Sequence, residues 1–453
     1  MHGKDLTQGD IGKQLWSLAW PTMLSIFFHT LYNIVDAFWV SKLSPESIAA
    51  VSISQITLFA MVSLSMGITI GSGVLMAMHI GAKDKEGAEK IFGQSFLLST
   101  IAAVLFTAIA LIFKKTFLTL SGATGNIYPL ALDYFTITAI GSFLVFWMMS
   151  VVFGFNSQGD NFTMTKIFAF STLVNGVLDP IMIFGWFGFP AMGISGAAIA
   201  TLISEAIAVG IGVYILTGKD MMIRFRFSNL AFDLRQVKKI LKIGLPASLT
   251  QVIMPVGIGA LTGIISLAFH EAGAISYSLI FRVEFFAFLP AIGFGVASMA
   301  MLGQNIGAGN IDRAKAVYKK ALVFAFVLAV LFGIISAIFS RQIIGIFTND
   351  TAIMQYASSY LLFAPVSFGF LSMVIVASSS FQGIGKSWPG FWITFLKFAI
   401  IAVPLSYLLT VIMGYGIIVV WISILASNFI AAIVGYSWLK KALDGIKVQT
   451  VVV

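Results

Sequence analysis

Residues 29–40 read HTLYNIVDAFWV, and residues 171–184 read STLVNGVLDPIMIF. Each stretch is apolar and carries one acidic residue, Asp36 in the first and Asp179 in the second. A carboxylate inside hydrocarbon is costly, so an acid at such a position usually marks a path for an ion or a substrate. The second half of the chain has no acid at the matching positions. The pair therefore indicates an ion-coupled transporter whose two halves have divided the work.

The composition places the whole chain in a membrane. Of its 453 residues 59% are hydrophobic and only 10% are charged, whereas a soluble chain carries about 25% charged residues. The absence of cysteine excludes disulfides, thiolate metal sites and cysteine nucleophiles. The four histidines are scattered without metal-ligand spacing, and no phosphate-binding loop or nucleophile–base constellation is present. We therefore expect neither an enzyme, nor a cofactor, nor a nucleic-acid partner.

Apolar runs of about 20 residues or more predict twelve transmembrane helices. Strands are not expected, because the runs are long and do not alternate apolar with polar residues. The predicted fold is an all-α integral membrane protein. The spans are placed at 15–40, 48–79, 91–113, 128–154, 167–186, 194–217, 243–269, 272–303, 321–340, 352–380, 390–412 and 414–438.

The two halves of the chain repeat each other at a spacing of 224 to 226 residues. Six spans per half is an even number, so both halves point the same way, as in a parallel pseudo-two-fold repeat. This predicts an N-lobe at 1–217, a basic linker at 218–242 and a C-lobe at 243–453, with a cavity between the lobes. The matched anchors are Pro21 with Pro246, Gly81-Ala82 with Gly307-Ala308, Gln158-Gly159 with Gln382-Gly383, and Pro180 with Pro404.

The basic residues predict the orientation of the chain. If the N-terminus is cytoplasmic, 21 of the 27 lysines and arginines fall in cytoplasmic segments and four in outer segments. This asymmetry is the positive-inside rule, which predicts a multi-pass protein of the cell membrane with both termini in the cytoplasm. The formal charge of +9 is explained in the same way.

Helical spacing gathers further polar side chains around the two acids. Asn175 precedes Asp179 by four residues and Tyr32 precedes Asp36 by four, so each lies on the same helix face as its acid. Thr201 lies about two turns into span 6, at a similar depth. No lysine or arginine lies in the spans of this half. The group could hold a proton between two acids or coordinate sodium through oxygens; the alternative is a buried hydrogen-bond network between helices.

Two other features of the spans bear on function. Pro21 can kink span 1, so that a bending helix would link cation binding to cavity shape; the alternative is a static kink. The second half contains Arg282, Glu284 and Lys397. We expect these three to make structural ion pairs, with substrate binding as the alternative.

The sequence resembles the multidrug and toxic compound extrusion family, and the acid pair of spans 1 and 5 is similar to its archaeal and DinF-like branch. The resemblance covers nearly the whole chain. It is carried by twelve spans together with TLYNIVDAFWVSKL at 30–43, GISGAAIAT at 193–201 and RVEFFAFLPAIGFGVASMAMLGQNIGAG at 282–309. Other branches of the family have a carboxylate in span 7, and this span 7 has none.

The resemblance implies a secondary active exporter. It implies antiport of cationic or amphipathic organic compounds against protons or sodium, by a monomer in the lipid bilayer. The family's cation site, which would be the sodium site if sodium binds, falls on Asp36, Asn175, Asp179 and Thr201, with Tyr32 beside it and the bent helix at Pro21. A lipid-linked precursor flippase of the same superfamily is the alternative, although a strongly cationic cavity would be expected there. A channel or a membrane enzyme fits less well.

Overall fold

The computed structural model describes residues 3–446, and within them every element of secondary structure is helical. Helices are the expected solution for long apolar segments, because a helix satisfies every backbone hydrogen bond within the segment. Lys447, one of the basic residues assigned to the cytoplasmic side, lies outside the described range.

The helices follow the predicted spans in order. Short 3-10 turns at Trp186–Gly188 and Phe227–Leu230 and π-helical stretches at Leu396–Ala402 and Leu408–Ile412 lie between them. The α-helices are α1 (Ile11–Ser41), α2 (Pro45–Gly81), α3 (Lys85–Leu120), α4 (Ile127–Ile140), α5 (Ser142–Ser157), α6 (Asn161–Phe184), α7 (Ile194–Leu216), α8 (Leu234–Gly307), α9 (Ile311–Ile338), α10 (Ser340–Gly345), α11 (Thr351–Leu361), α12 (Ala364–Gly383), α13 (Ser387–Phe395), α14 (Val403–Tyr407) and α15 (Ile418–Asp444).

Ten helical segments of the described residues are long and apolar enough to cross a membrane, and the bent pair α4–α5 makes eleven. One of these, α8, has 74 residues. It would be about 110 Å long if straight, far more than the roughly 30 Å of a bilayer core. Its backbone leaves the helical region at His270, with φ 54° and ψ −153°. The two arms of α8 therefore correspond to the predicted spans 7 and 8.

Three predicted spans differ in detail from the helices observed. Span 4, predicted as one helix, is α4 and α5, bent by 49° beside Gly141. A Cβ at Gly141 would collide with Leu202 of α7, so the bend lies where two helices approach closely. Span 10 is two helices, α11 and α12, and span 11 is interrupted by π-helix. Hydropathy could not reveal these breaks, because each one lies inside a continuous apolar run.

The internal repeat extends to the local backbone of the two halves. Lys83 and Gly309, 226 residues apart, both have left-handed φ, 60° and 73°. The next loop also matches at 226 residues, since Gly159 and Gly385 have φ of 72° and 74°. The predicted pairing of Gln158-Gly159 with Gln382-Gly383 is therefore wrong by two residues. The cause is a chance Gln-Gly dipeptide just before the true turn.

The chain forms two compact units. Unit 1 contains Leu24–Ser248 with residues 3–5, and unit 2 contains Leu6–Met23 with residues 249–446. Both changes of unit occur inside a helix, in α1 after Met23 and in α8 after Ser248. The predicted lobe boundaries at residues 217 and 243 are not tested by this division and stay a prediction.

Candidate functional site

The two membrane acids lie in unit 1, on α1 and α6. Asp36 is 4% exposed and Asp179 is fully buried, and their charges interact. The two helices are held together above and below the acids. Thr172 of α6 donates its hydroxyl to the Phe28 carbonyl of α1 at 3.2 Å. One turn further along, Gly176 provides room for Val35, whose Cγ1 would lie 3.3 Å from an added Cβ.

Asn175 positions one oxygen of Asp179. Its side-chain amide donates to Asp179 Oδ1 at 3.1 Å, as their spacing of four residues on α6 predicts. Both side chains are completely buried. The second carboxylate oxygen, Oδ2, has no partner, and neither does the amide oxygen of Asn175. The pair therefore presents two free acceptors in a buried place.

Helix α7 contributes the third side of the site. Ser171 of α6 donates to the Ser204 carbonyl at 3.1 Å, which ties α7 to α6 at this level. Thr201 and Glu205 lie one turn apart on α7, on the face that carries this contact. Tyr32 of α1 donates its phenol to the Thr201 carbonyl at 3.5 Å. Tyr32 also interacts electrostatically with Glu205, Asp36 and Asp179, so three helices converge here.

The site has a shortage of hydrogen-bond donors. Buried polar atoms are nearly always paired, and each exception needs an explanation. Carboxylate and amide oxygens accept hydrogen bonds or coordinate cations, and a threonine hydroxyl can do both. Such a set fits a proton or a hard monovalent cation. The unpaired buried oxygens of the site are Asp36 Oδ1, Asn175 Oδ1, Asp179 Oδ2, Thr201 Oγ1 and Glu205 Oε2.

The structure adds two residues that the sequence reasoning did not place in the site. Glu205 was left without a role, although its spacing from Thr201 was a usable signal. Tyr134 of α4 is 4% exposed and interacts electrostatically with Asp36, Asp179 and Glu205. Nothing in the sequence around Tyr134 indicated this position. Across residues 3–446, no group of three or more His, Cys, Asp or Glu side chains could hold a metal ion.

In unit 2 the structure brings together two of the three predicted charged residues. Glu284 and Lys397 are 7% and 6% exposed, line one small cavity and interact electrostatically. The Tyr360 hydroxyl donates to Glu284 Oε1 at 3.1 Å, and Lys397 Nζ lies 4.4 Å from the centre of the Phe398 ring. Arg282 is exposed and does not line this cavity. Opposite charges in one cavity neutralise each other, unlike the acids of unit 1.

The proline of the proposed hinge lies inside a continuous helix. Pro21 is part of α1, which runs without a break from Ile11 to Ser41. The change from unit 2 to unit 1 follows two residues later, after Met23. Pro246 has the same relation to the change after Ser248 in α8. The two repeat-related prolines thus precede the two crossings of the chain.

Comparison with known proteins gives a consistent result. The profile of the MatE family matches residues 21–181 and, a second time, 246–408. The FAD transporter of Shewanella oneidensis is 26% identical over 99% of this chain and 98% of its own length. The probable multidrug resistance protein NorM of Thermotoga maritima is 25% identical over 92% of this chain and 89% of its own length.

A solved structure has the same fold over nearly its whole length. It is described as the outward-facing conformation of a multidrug resistance MATE family transporter of the MOP superfamily. The two chains are 28% identical and superpose with a TM-score of 0.90, covering 98% of each.

Proposed function

Because this chain belongs to the MatE family, the multidrug and toxic compound extrusion transporters, we propose that it exports cationic or amphipathic organic compounds in exchange for protons or sodium ions. The membership confirms the resemblance predicted from the sequence. The chain is a multi-pass membrane transporter and not an enzyme.

The observation that carries the proposal is the set of unpaired buried oxygens around Asp36 and Asp179. Two interacting acids without a basic partner repel each other when both are ionised, so a proton or a cation would stabilise the pair. A bound sodium ion would be held by Asp36, Asn175, Asp179 and Thr201. Glu205 and Tyr32 would modulate its binding through their charge and hydrogen bonding.

Coupling requires that cation binding change the shape of the protein. We place this change in α1, because Pro21 removes one helical hydrogen bond there and the chain changes unit two residues later. Loss of repulsion between the acids would favour a bent α1 and a smaller substrate space in the N-lobe. The substrate would then leave on the outer side as the cation enters, which is antiport.

Acidic residues with no basic partner favour cationic over anionic substrates. The buried cation of unit 2, Lys397, interacts with Glu284 and so presents no excess positive charge. This argues against the flippase alternative, for which a cationic cavity is expected. It also argues against flavin nucleotides, the substrate that the name of the Shewanella relative implies, as cargo of this chain.

The test is transport by purified protein in liposomes, with the proton and sodium gradients imposed separately. Export of a cationic dye should follow at least one gradient, whereas FAD and lipid-linked anionic precursors should not move. Leu261→Ile and Val403→Ile change the repeat counterparts of the two acids and should transport like the unaltered protein. Gradient-driven movement of FAD alone would replace this proposal with the anionic one.

The same proposal includes a monomer in the cell membrane with both termini in the cytoplasm. The chain has no cysteine of its own, so a single introduced cysteine can report the topology. A cysteine at Lys238 should be labelled by an impermeant maleimide only after the cells are opened. Labelling from outside intact cells would reverse the orientation.

A further inference from the structure

Four basic side chains lie on one face of the first turns of α8. Their spacing of i, i+3, i+4 and i+7 aligns them along the helix. All four are exposed, and the side chain of the first is 92% exposed. These residues, here called the basic stripe, are Arg235, Lys238, Lys239 and Lys242.

The opposite face of the same turns is fixed in the protein. Val237 and Ile240 are 6% and 0% exposed. The Ile240 carbonyl packs against Gly71 of α2, where any larger residue would collide with it. The helix cannot rotate without losing these contacts, so the basic stripe points away from the protein.

Large apolar side chains flank the stripe and have no protein partner surface. In the segment before α8, Phe227 is 76% exposed and Phe232 is 59% exposed. On α8 itself, Leu241 and Leu245 are 43% and 56% exposed. On a helical wheel these leucines lie beside the stripe and not opposite it. Basic and apolar side chains side by side are typical of a segment at the membrane–water interface.

The linker before α8 is held on unit 1 by side chains of α3. Gln94 donates to the Ala231 carbonyl at 2.6 Å and accepts from the Asp233 amide at 3.0 Å. The buried carboxylate of Glu89 pairs with Arg226 at 3.0 Å. These bonds fix Phe227 and Phe232 beside the stripe, which makes the surface preformed.

We propose that the basic stripe, with Phe227, Phe232, Leu241 and Leu245, binds anionic phospholipids. The linker and the stripe together, residues 218–242, carry seven basic and two acidic residues, so the charge complements phosphate headgroups. The neighbouring apolar side chains contact acyl chains, which distinguishes a lipid from free phosphate or a nucleic acid. This site is separate from the acids of the cation site and does not depend on the coupling ion.

Lipid retention by the purified full-length protein in detergent tests the proposal. Native mass spectrometry would count bound phosphatidylglycerol across a titration, with phosphatidylcholine and glycerol phosphate as comparison ligands. The variant Lys238→Gln/Lys239→Gln should weaken phosphatidylglycerol binding by about 30-fold at low ionic strength. Phosphatidylcholine should bind weakly to both proteins, and glycerol phosphate should not compete.

The chain offers a matched control in its other paired lysines. Lys114→Gln/Lys115→Gln removes the same charge near the far end of α3, on the predicted outer side, and should retain lipid like the unaltered protein. Both variants need unchanged melting temperatures. Equal loss in the two variants, no loss in the stripe variant, or full competition by glycerol phosphate would each overturn the proposal.

Discussion

Asn175 donates its amide to one oxygen of the Asp179 carboxylate, at 3.1 Å, and leaves the other oxygen of that carboxylate unpaired. The bond fixes the orientation of the carboxylate within α6, so that Oδ2 faces the space shared with α1 and α7. A buried acid that is half satisfied is poised to accept a proton or a cation, because either would supply the missing partner.

Removal of the amide should weaken cation binding. Asn175→Leu deletes both the donor to Asp179 and a candidate oxygen ligand, each a contact to a charged group worth about 1.5 to 3 kcal/mol. We expect at least a tenfold loss of apparent cation affinity in gradient-driven transport, with substrate binding retained. Asn33→Leu alters the exposed asparagine three residues before Asp36 and serves as the control. An unchanged affinity in Asn175→Leu would remove this residue from the site.

Neutralisation of either acid should stop coupled transport. Asp36→Asn and Asp179→Asn each eliminate the repulsion that cation binding relieves, so export should lose its dependence on the gradient. Because the two acids act as one unit, the double variant should be little worse than either single variant. The measurement is dye export from inverted vesicles, with folding checked by gel filtration. Near-normal coupling in both single variants would leave the acids as structural hydrogen-bond partners.

The prolines before the two unit crossings should differ in importance. Pro21→Ala restores a helical hydrogen bond beside the acids of α1, so it should slow transport several-fold while substrate affinity stays within about twofold. Pro246→Ala makes the same change in α8, whose counterpart of Asp36 is the apolar Leu261. We expect a smaller loss there. Equal loss of transport rate in both variants would show that the hinge is not specific to the cation half.

Glu284 and Lys397 should be more sensitive to single than to double substitution. Glu284→Gln or Lys397→Met alone leaves one buried charge without its counter-charge, which typically costs about 3 to 5 kcal/mol. The double variant removes both charges and should recover most of that stability. Melting temperatures of the four proteins in detergent give the coupling energy. Additive effects would mean that the two charges are independent despite their shared cavity.

Asp84 should stabilise the start of α3 in a pH-dependent way. Its carboxylate accepts from the Gly87 amide at 2.9 Å, and this bond, with a smaller effect of His79, lowers the pKa of Asp84 below its ordinary 3.8. A lowered pKa stabilises the fold above the unfolded-state pKa, and the effect is lost as the pH falls through the folded-state pKa. Asp84→Ala should cost about 1 kcal/mol at pH 7, as for other helix caps.

The measurement is the melting temperature of each protein in detergent as a function of pH. The difference between Asp84→Ala and the unaltered protein should shrink as the pH falls below about 3.8. Asp312→Ala, an exposed acid in the first turn of α9, should have little effect. A pH-independent difference would assign the loss to packing and not to the charged cap.

The sequence by itself determined the properties that depend on local spacing. The length of apolar runs gave the membrane class and the order of spans, since a helix of about 20 residues crosses a bilayer whatever its neighbours are. The spacing of four residues between Asn175 and Asp179 predicted their contact, because those positions are neighbours on any α-helix. The proline pairs revealed the repeat for the same reason, as fixed distances along the chain.

Only the tertiary structure decided which side chains from different helices meet. Tyr134 and Glu205 join the site, and Glu284 faces Lys397 while Arg282 does not, because helix rotation and tilt follow from packing contacts distant in sequence. The bend at Gly141 and the break at His270 arise in the same way, inside runs whose hydropathy is uniform. Pairing between helices depends on the summed fit of many such contacts, and no single stretch of sequence contains that sum.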